Sequence, residues 1–403
     1  GVPLAMLAIS RVLDKEGYEV KIISRFVSEN SEEEVLAEAA DSICLGISAM
    51  TGFQLKDGLS IAQKVRRKYP KLPIVWGGWH PSILPEETVR DKNVDIVVVG
   101  PGDLTFPALV KTLMSGKNLK EVPNIVYKKG KRVVFTSVKP LTVEELNSLP
   151  PLPYHLIDVE KSIHGTEYGD RTIPYISSYG CPFRCGFCVE SIVNKRRWLA
   201  FSAKRVVNEW ANLVKKYKAD SIAVYDSNFF VDQKRTFDIC EGLLKKKIKI
   251  KWGNANGRVG QLIKYEPKVW QAMEKSGCSM ILTGAESGSQ EALDLIEKDM
   301  DVEEIVEFTR LCHKYHIKIL YSFLVGLPWS QNPGENRKYI DGEYRSTLSL
   351  IDSLLKVSNR NRYTYYVFLP YPGAALYDRA VKLGLKAPKS LQGWSQYLMS
   401  PED

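Results

Sequence analysis

Cys181-Pro182-Phe183-Arg184-Cys185-Gly186-Phe187-Cys188 places three thiols in one short run, with three and then two residues between them. Thiolates so spaced can converge on one soft metal centre, and cysteine is the usual ligand of iron–sulfur clusters. A [4Fe–4S] cluster bound by three protein thiolates keeps one iron open to another ligand. A structural zinc site needs four protein ligands, and no fourth Cys or His lies within the run. A disulfide framework needs an oxidising compartment, whereas the 7 cysteines are odd in number and Cys44, Cys240, Cys278 and Cys312 stand apart in apolar or helical surroundings. These four read as packing residues.

Around this run lie 403 residues, a length that favours two domains and a connector. At 44% hydrophobic and 26% charged the composition is that of a globular protein, with no long apolar span and no signal-peptide pattern. A reducing, cytoplasmic location is the expectation. The net charge of +9 is spread over helical stretches, the densest groups being Lys195-Arg196-Arg197 and Lys245-Lys246-Lys247. Scattered charge of this kind argues for non-specific attraction and disfavours a nucleic-acid function, although the first group follows the cysteines and could meet an anionic substrate.

Before the cysteines, short apolar runs at 19–24, 42–48, 74–78 and 95–100 read as strands alternating with amphipathic helices, a doubly wound α/β pattern. Ligands of such sheets sit beyond the carboxyl ends of the strands, which points to the loops at 48–54, 77–82 and 100–103. The chain enters a helical pattern directly after Gly1-Val2-Pro3, so the domain's first strand is expected upstream. A hairpin at 124–137, turning at Lys129-Gly130-Lys131, closes this first domain at about residue 140. Pro150-Pro151-Leu152-Pro153 lies in a linker, 141–172. Six further strand candidates follow, at 173–178, 221–226, 249–254, 280–284, 318–325 and 363–369, each separated by a helical pattern. Six βα units predict a partial (β/α)6 barrel over 173–385, its site at the carboxyl ends of the strands. The stretch 386–403 reads as the start of a carboxyl-terminal segment.

Cys-x-x-x-Cys-x-x-Cys after the first barrel strand resembles the radical S-adenosylmethionine (SAM) superfamily. Tyr225-Asp226-Ser227-Asn228-Phe229-Phe230, Gly284-Ala285-Glu286-Ser287-Gly288-Ser289, Phe323-Leu324-Val325-Gly326-Leu327-Pro328 and Pro370-Tyr371-Pro372-Gly373 resemble its cobalamin-dependent branch. Val75-Trp76-Gly77-Gly78-Trp79-His80-Pro81-Ser82 resembles the Rossmann-like cobalamin (B12)-binding domain that precedes the barrel there. The resemblance implies three cofactors: a [4Fe–4S] cluster on Cys181, Cys185 and Cys188, SAM chelating the open iron, and cobalamin. For SAM it implies contacts from Phe187, Asp226, Arg258, Glu286 and Ser287, and for cobalamin from Ser48, Thr51, Gly77, Gly78, His80, Gly100 and Gly102. Paired glycines suit that loop because they let backbone amides approach a bulky phosphate-bearing ligand.

Two departures matter. The Asp-x-His-x-x-Gly motif that places a histidine beneath cobalt is absent, and His80 is the first domain's only histidine, so cobalamin is expected without that ligand. The last loop reads Gly100-Pro101-Gly102-Asp103 where many relatives carry Gly-Glu-Gly-Glu. The activity the resemblance implies is methyl transfer: a 5′-deoxyadenosyl radical removes hydrogen from an unactivated carbon, which takes a methyl from methylcobalamin. Oxidation, cyclisation or rearrangement with the same cofactors is the alternative; a non-catalytic corrinoid binder is the other. A methylthiotransferase would need a second cluster, and Cys44 is alone in the first domain. Implied partners are a small-molecule or peptide substrate and an electron donor such as flavodoxin or ferredoxin. Trp198, Trp252, Trp329, Tyr363, Tyr365 and Tyr366 offer aromatic surface near strand ends, and 329–343 is irregular and polar.

Overall fold

The computed structural model describes residues 2–25 and 27–397. Its chain divides into two compact units, one of Gly1–Ser162 with Lys386–Asp403 and one of Ile163–Leu385. Residues 398–403 of the expected carboxyl-terminal segment lie outside the described residues.

In the first unit α1 (Leu4–Lys15) and α2 (Ser31–Glu38) precede β1 (Leu45–Ser48), α3 (Phe53–Lys68), β2 (Ile74–Gly77), α4 (Trp79–Ile83), α5 (Pro85–Arg90), β3 (Ile96–Val98) and α6 (Thr105–Ser115). β1, β2 and β3 pair in parallel, and the hairpin β4 (Ile125–Lys129) and β5 (Arg132–Phe135) extends the sheet antiparallel in the order β1-β2-β3-β4-β5. The central strands are continuous apolar runs because helices cover both faces. On one face Val75, Ile96 and Val98 pack with Leu109 of α6 and with Ile125 and Tyr127.

The run 19–24 corrects its expectation: it carries no ladder and is not a strand. A strand exists only by pairing. Between 18–23 and β1 lies a cleft of about 560 Å³, lined from β1's side by Ile43, Cys44 and Leu45, so the two stretches are not bonded to each other. β1 accordingly stays half-buried along its length, where β2 is mostly buried.

Residues 141–162 contain α7 (Val143–Ser148) and α8 (Val159–Ser162). A capping box of Thr142 and Glu145 starts α7. Leu146, Leu149, Leu152 and Tyr154 are buried, so this stretch packs as part of the first unit.

The second unit opens with β6 (His164–Thr166), antiparallel to β7 (Gly169–Tyr175), and β8 (Ser178–Gly180). There follow α9 (Glu190–Val193), β9 (Trp198–Ala200), α10 (Ala203–Tyr217), β10 (Ser221–Val224), α11 (Gln233–Lys245), β11 (Lys251–Gly253), β12 (Ala255–Asn256), α12 (Val259–Leu262) and α13 (Pro267–Lys275). The unit continues through β13 (Met280–Glu286), α14 (Gln290–Leu295), α15 (Val302–Lys314), β14 (Lys318–Val325), α16 (Pro333–Val357), β15 (Arg362–Val367) and α17 (Ala375–Lys382). β7, β10 and β11 are parallel neighbours, as are β12, β13, β14 and β15. Asn254, at φ 57°, breaks one strand into β11 and β12, and the parallel bridge of Trp252 with Cys278 carries the sheet across the break. Six parallel strand positions with helices between them result.

Local sequence explains the helices. Ser202 caps α10, whose Val206, Val207, Trp210 and Leu213 face the core, and Asp301 with Glu304 makes the capping box of α15. Asn332 caps α16 ahead of Pro333. In the first unit, α18 (Leu391–Trp394) returns to pack against α3, burying Leu391 and Trp394.

One buried ion pair ties α1 to the loop after β3: Arg11 to Asp103, with exposures of 1% and 3%. Removing one partner of such a pair leaves an uncompensated charge, at a cost of about 3 kcal/mol or more. Asp103→Asn should therefore lower the urea midpoint further than the double exchange Arg11→Met with Asp103→Leu. Equal midpoints would contradict this.

Candidate cluster and cobalamin sites

Cys181 follows β8 directly, at the carboxyl end of the first barrel strand. All three thiols of the run are half-buried. The loop is positioned by backbone. Gly180, at φ 82°, lies so close to the Arg197 carbonyl that a Cβ there would stand 1.9 Å from its oxygen. The Gly186 N–H donates to the Ile296 carbonyl at 2.8 Å, and its own carbonyl accepts from Leu376 N–H at 2.9 Å. A turn closes from the Cys188 N–H to the Cys185 carbonyl at 3.0 Å. Gly373 of the Pro-Tyr-Pro-Gly segment packs on Ile192 just past Cys188, which gives that motif its place.

Burial raises the Cys181 thiol pKa and pushes Cys188 to about 12. Among the described residues no three His, Cys, Asp or Glu side chains gather around a single ion. A four-iron cluster places each thiolate on a different iron, and cysteine is the ligand such clusters take.

The next strand ends supply charge. Arg258, after β12, lies over the Phe183 ring at 4.1 Å, is buried, and has an unpartnered Nη1. Glu286 ends β13 at φ 62°, a backbone region that non-glycine residues seldom adopt, and its Oε1 accepts from Lys298 Nζ at 2.6 Å. Burial opposes the Lys298 charge, but Glu286, with Cys185, raises its pKa above the ordinary value. Lys298 Nζ also stands 5.8 Å from the Phe187 ring centroid. Phe187, Arg258 and Glu286 thus share surroundings with the cysteine loop, and the orphaned guanidinium N–H fits the carboxylate of an amino-acid-bearing ligand such as SAM.

Two expected contacts turn elsewhere. Asp226 accepts at 2.6 Å from the Ser177 N–H, the Ser177 hydroxyl and the Ser178 hydroxyl, so it braces the approach to Cys181. Arg235, which donates to the Ser177 hydroxyl at 2.8 Å, completes this network. Ser287 is 1% exposed and accepts from the Ser289 N–H at 3.1 Å, with Thr347 of α16 at 3.4 Å. The partners of Asp226 lie almost fifty positions away in sequence, whereas Ser287 is engaged both locally by Ser289 and by the distant Thr347. Asn228, whose Nδ2 stands 3.8 Å from Cys181 Sγ, and Lys298 were missed as individual residues. Asn228 lies within the segment 225–230 that follows β10; nothing in the sequence marks Lys298.

In the first unit the strand ends of β1, β2 and β3 meet. A Cβ on Gly78 would stand 2.8 Å from the Ala49 carbonyl oxygen and 2.9 Å from Ser48 Oγ, so only glycine fits. Gly77 accepts from the Ala49 N–H at 3.0 Å, and Thr51 Oγ1 lies 2.9 Å from His80 Nδ1. Ser82 links the Gly78 carbonyl, at 2.6 Å, to the Gly100 N–H, at 2.9 Å. Gly102 faces Ile9 of α1 and Val98 of β3. His80 Nε2 is buried without a partner, and Trp394 tilts against the ring at 5.7 Å. A glycine-only cradle and an orphaned ring nitrogen fit a large polar cofactor.

With this geometry in view, the B12 binding domain model matches residues 1–110, and the Radical SAM superfamily model matches 175–338. The protein is therefore a two-domain enzyme that joins a B12-binding domain to a radical SAM domain. It belongs to the cobalamin-dependent radical SAM family. It is 28% identical over 387 residues to the uncharacterized methyltransferase PH0819 of Pyrococcus horikoshii, covering 94% of this chain and 79% of that one. It is 25% identical to the anaerobic magnesium-protoporphyrin IX monomethyl ester cyclase of Cereibacter sphaeroides, over 89% of this chain and 58% of the relative. In fold it is similar to the radical SAM methyltransferase TsrM of Kitasatospora setae, at TM-score 0.75 and 17% identity, covering 94% of this chain and 72% of that one.

Burial pushes the His80 imidazole down from 6.5 to about 4. An unfolded chain binds that proton below about pH 6.5, so stability present at neutral pH is lost as pH falls through this window, by about 1.4 kcal/mol per unit. Urea unfolding at about pH 7 and pH 5 should show this drop flattened in His80→Gln. An unchanged drop would contradict the assignment.

Proposed function

We propose that the protein is a methyltransferase that moves a methyl group from SAM, by way of cobalamin, to an unactivated carbon of a small-molecule or peptide substrate. The observation that carries this reading is one chain holding both a three-cysteine loop flanked by an orphaned arginine and a glycine-only cradle in a B12-binding domain. When bound, the cluster and SAM supply a radical that removes hydrogen, and cobalamin supplies the methyl.

The chain's own residues bind and orient. Cys181, Cys185 and Cys188 would hold the cluster, Arg258 would meet the SAM carboxylate, the Glu286–Lys298 pair would offer both signs of charge to its polar groups, and Phe187 would contact its adenine. Ser48, Thr51, Gly77, Gly78 and Gly100 would cradle the corrinoid, with His80, 2.9 Å from Thr51, as a positioning residue. The chemistry that the bound cluster and SAM would supply needs an electron from outside the chain, for which we propose a flavodoxin- or ferredoxin-type donor. Lys195 and Arg196, exposed and adjacent in sequence to the arginine that abuts Gly180, favour an acidic protein there. A reducing, cytoplasmic setting suits seven free cysteines. No described helix is long and apolar enough to cross a membrane.

The methyltransferase relatives support transfer. The likeness to a cyclase supports a second reading, in which the same cofactors give oxidation, cyclisation or rearrangement. Anaerobically loaded protein, given methyl-labelled SAM, a low-potential reductant and an extract of its source cells, separates the two. Transfer predicts a labelled product besides 5′-deoxyadenosine, and replacement of Cys181, Cys185 and Cys188 by Ala abolishes both. 5′-Deoxyadenosine without label in any product would contradict transfer.

A further inference from the structure

A cleft of about 460 Å³ opens between the first turn of α14 and the amino-terminal half of α16, with Trp329 of the loop that leads from β14 into α16. Both walls leave the carboxyl ends of neighbouring strands, the edge that carries the cysteine loop. Glu291, Trp329, Glu335, Lys338, Tyr339 and Glu343 line it.

Glu343 is the unusual member. It is 5% exposed, its Oε2 accepts from the Trp329 indole N–H at 3.3 Å, and its Oε1 is buried without a partner. Burial pushes its pKa up, with Trp329 and Ser287 acting against that. With only the Trp329 indole and the neighbouring Ser287 hydroxyl beside it, a buried carboxylate is under-supplied with donors, which is costly and calls for a group that completes it. The aromatic wall is fixed in place: Trp329 stacks on Tyr339 at 5.2 Å and 14°, and its carbonyl accepts from Arg379 at 2.8 Å. Its backbone N–H donates to Asn336 at 3.1 Å.

Charge selects the ligand. Glu335 is engaged by Ser330 at 2.8 Å, Glu291 stands exposed, and Lys338 is the sole cation among the lining residues. Three carboxylates against one ammonium repel an anion, and indole and phenol faces attract a cation. We infer that this cleft binds a positively charged nitrogen of the substrate, an ammonium or guanidinium group, with Glu343 as its counter-ion and the Trp329–Tyr339 pair as its wall. The inference rests on the proposed function only in taking the strand edge as the substrate side.

Equilibrium dialysis of the loaded full chain with benzylammonium, and with benzyl alcohol as the neutral comparison, tests it without turnover. Benzylammonium should bind saturably and more tightly than benzyl alcohol, and about tenfold or more weaker in Glu343→Gln, as loss of a charged hydrogen bond implies. Trp329→Leu should weaken it as well, and carries the test should Glu343→Gln fail to fold by circular dichroism. No saturable binding, equal retention of the two probes, or undiminished binding by the variants would overturn the inference. Because no chemistry is read, failure of methyl transfer and failure of this site are separate results.

Discussion

The approach of the Gly180 backbone to the Arg197 carbonyl is the contact on which the site depends. It lets β8 and β9 pair immediately before Cys181, from Ser178 with Ala200 to Gly180 with Trp198. A side chain there would push the loop off its strand end. Further along, Gly186 is fastened on both sides by main-chain bonds to the end of α14 and the start of α17. The thiols are thus placed by rigid backbone from three parts of the unit, the arrangement that holds a functional group to a fixed geometry. Asp226 adds to this by bracing Ser177 and Ser178 upstream, with Arg235 holding the same serine hydroxyl.

Buried charge is concentrated where the strands end. Glu286 and Lys298 neutralise each other, whereas Arg258 rests on an aromatic ring with one N–H unanswered. A guanidinium kept from water needs an anionic partner. The left-handed backbone of Glu286 sits at the same strand end, and strain of this kind clusters at ligand sites. The first unit shows the corresponding arrangement in neutral form, with Gly78 against Ala49 and Ser48 and with His80 held uncharged by burial.

The strands with paired neighbours were legible because parallel sheets covered on both faces are written as apolar runs; Lys318–Val325 and the run at 74–78 read directly. The run at 19–24 also carries β-branched residues, Val20, Ile22 and Ile23, and is not a strand, since pairing depends on what lies beside it. The cysteine spacing pointed to the thiols that follow β8, and the glycine pair pointed to the close backbone approach at Gly78. What stayed illegible was side-chain direction. Asp226 and Ser287 lie at the expected strand ends, yet both spend their oxygens on internal partners. Lys298, twelve positions beyond Glu286, meets it only because α14 intervenes, and Trp394 reaches His80 only because the chain returns to the first unit.

The central claim is that Cys181, Cys185 and Cys188 hold a four-iron cluster whose open iron binds SAM. Electron paramagnetic resonance of the anaerobically reconstituted, reduced full chain, recorded before and after adding SAM, tests it most directly. The account predicts a [4Fe–4S]⁺ signal that changes on SAM addition and is lost when the three cysteines are replaced by Ala. A signal indifferent to SAM, or one that survives the replacement, would contradict it.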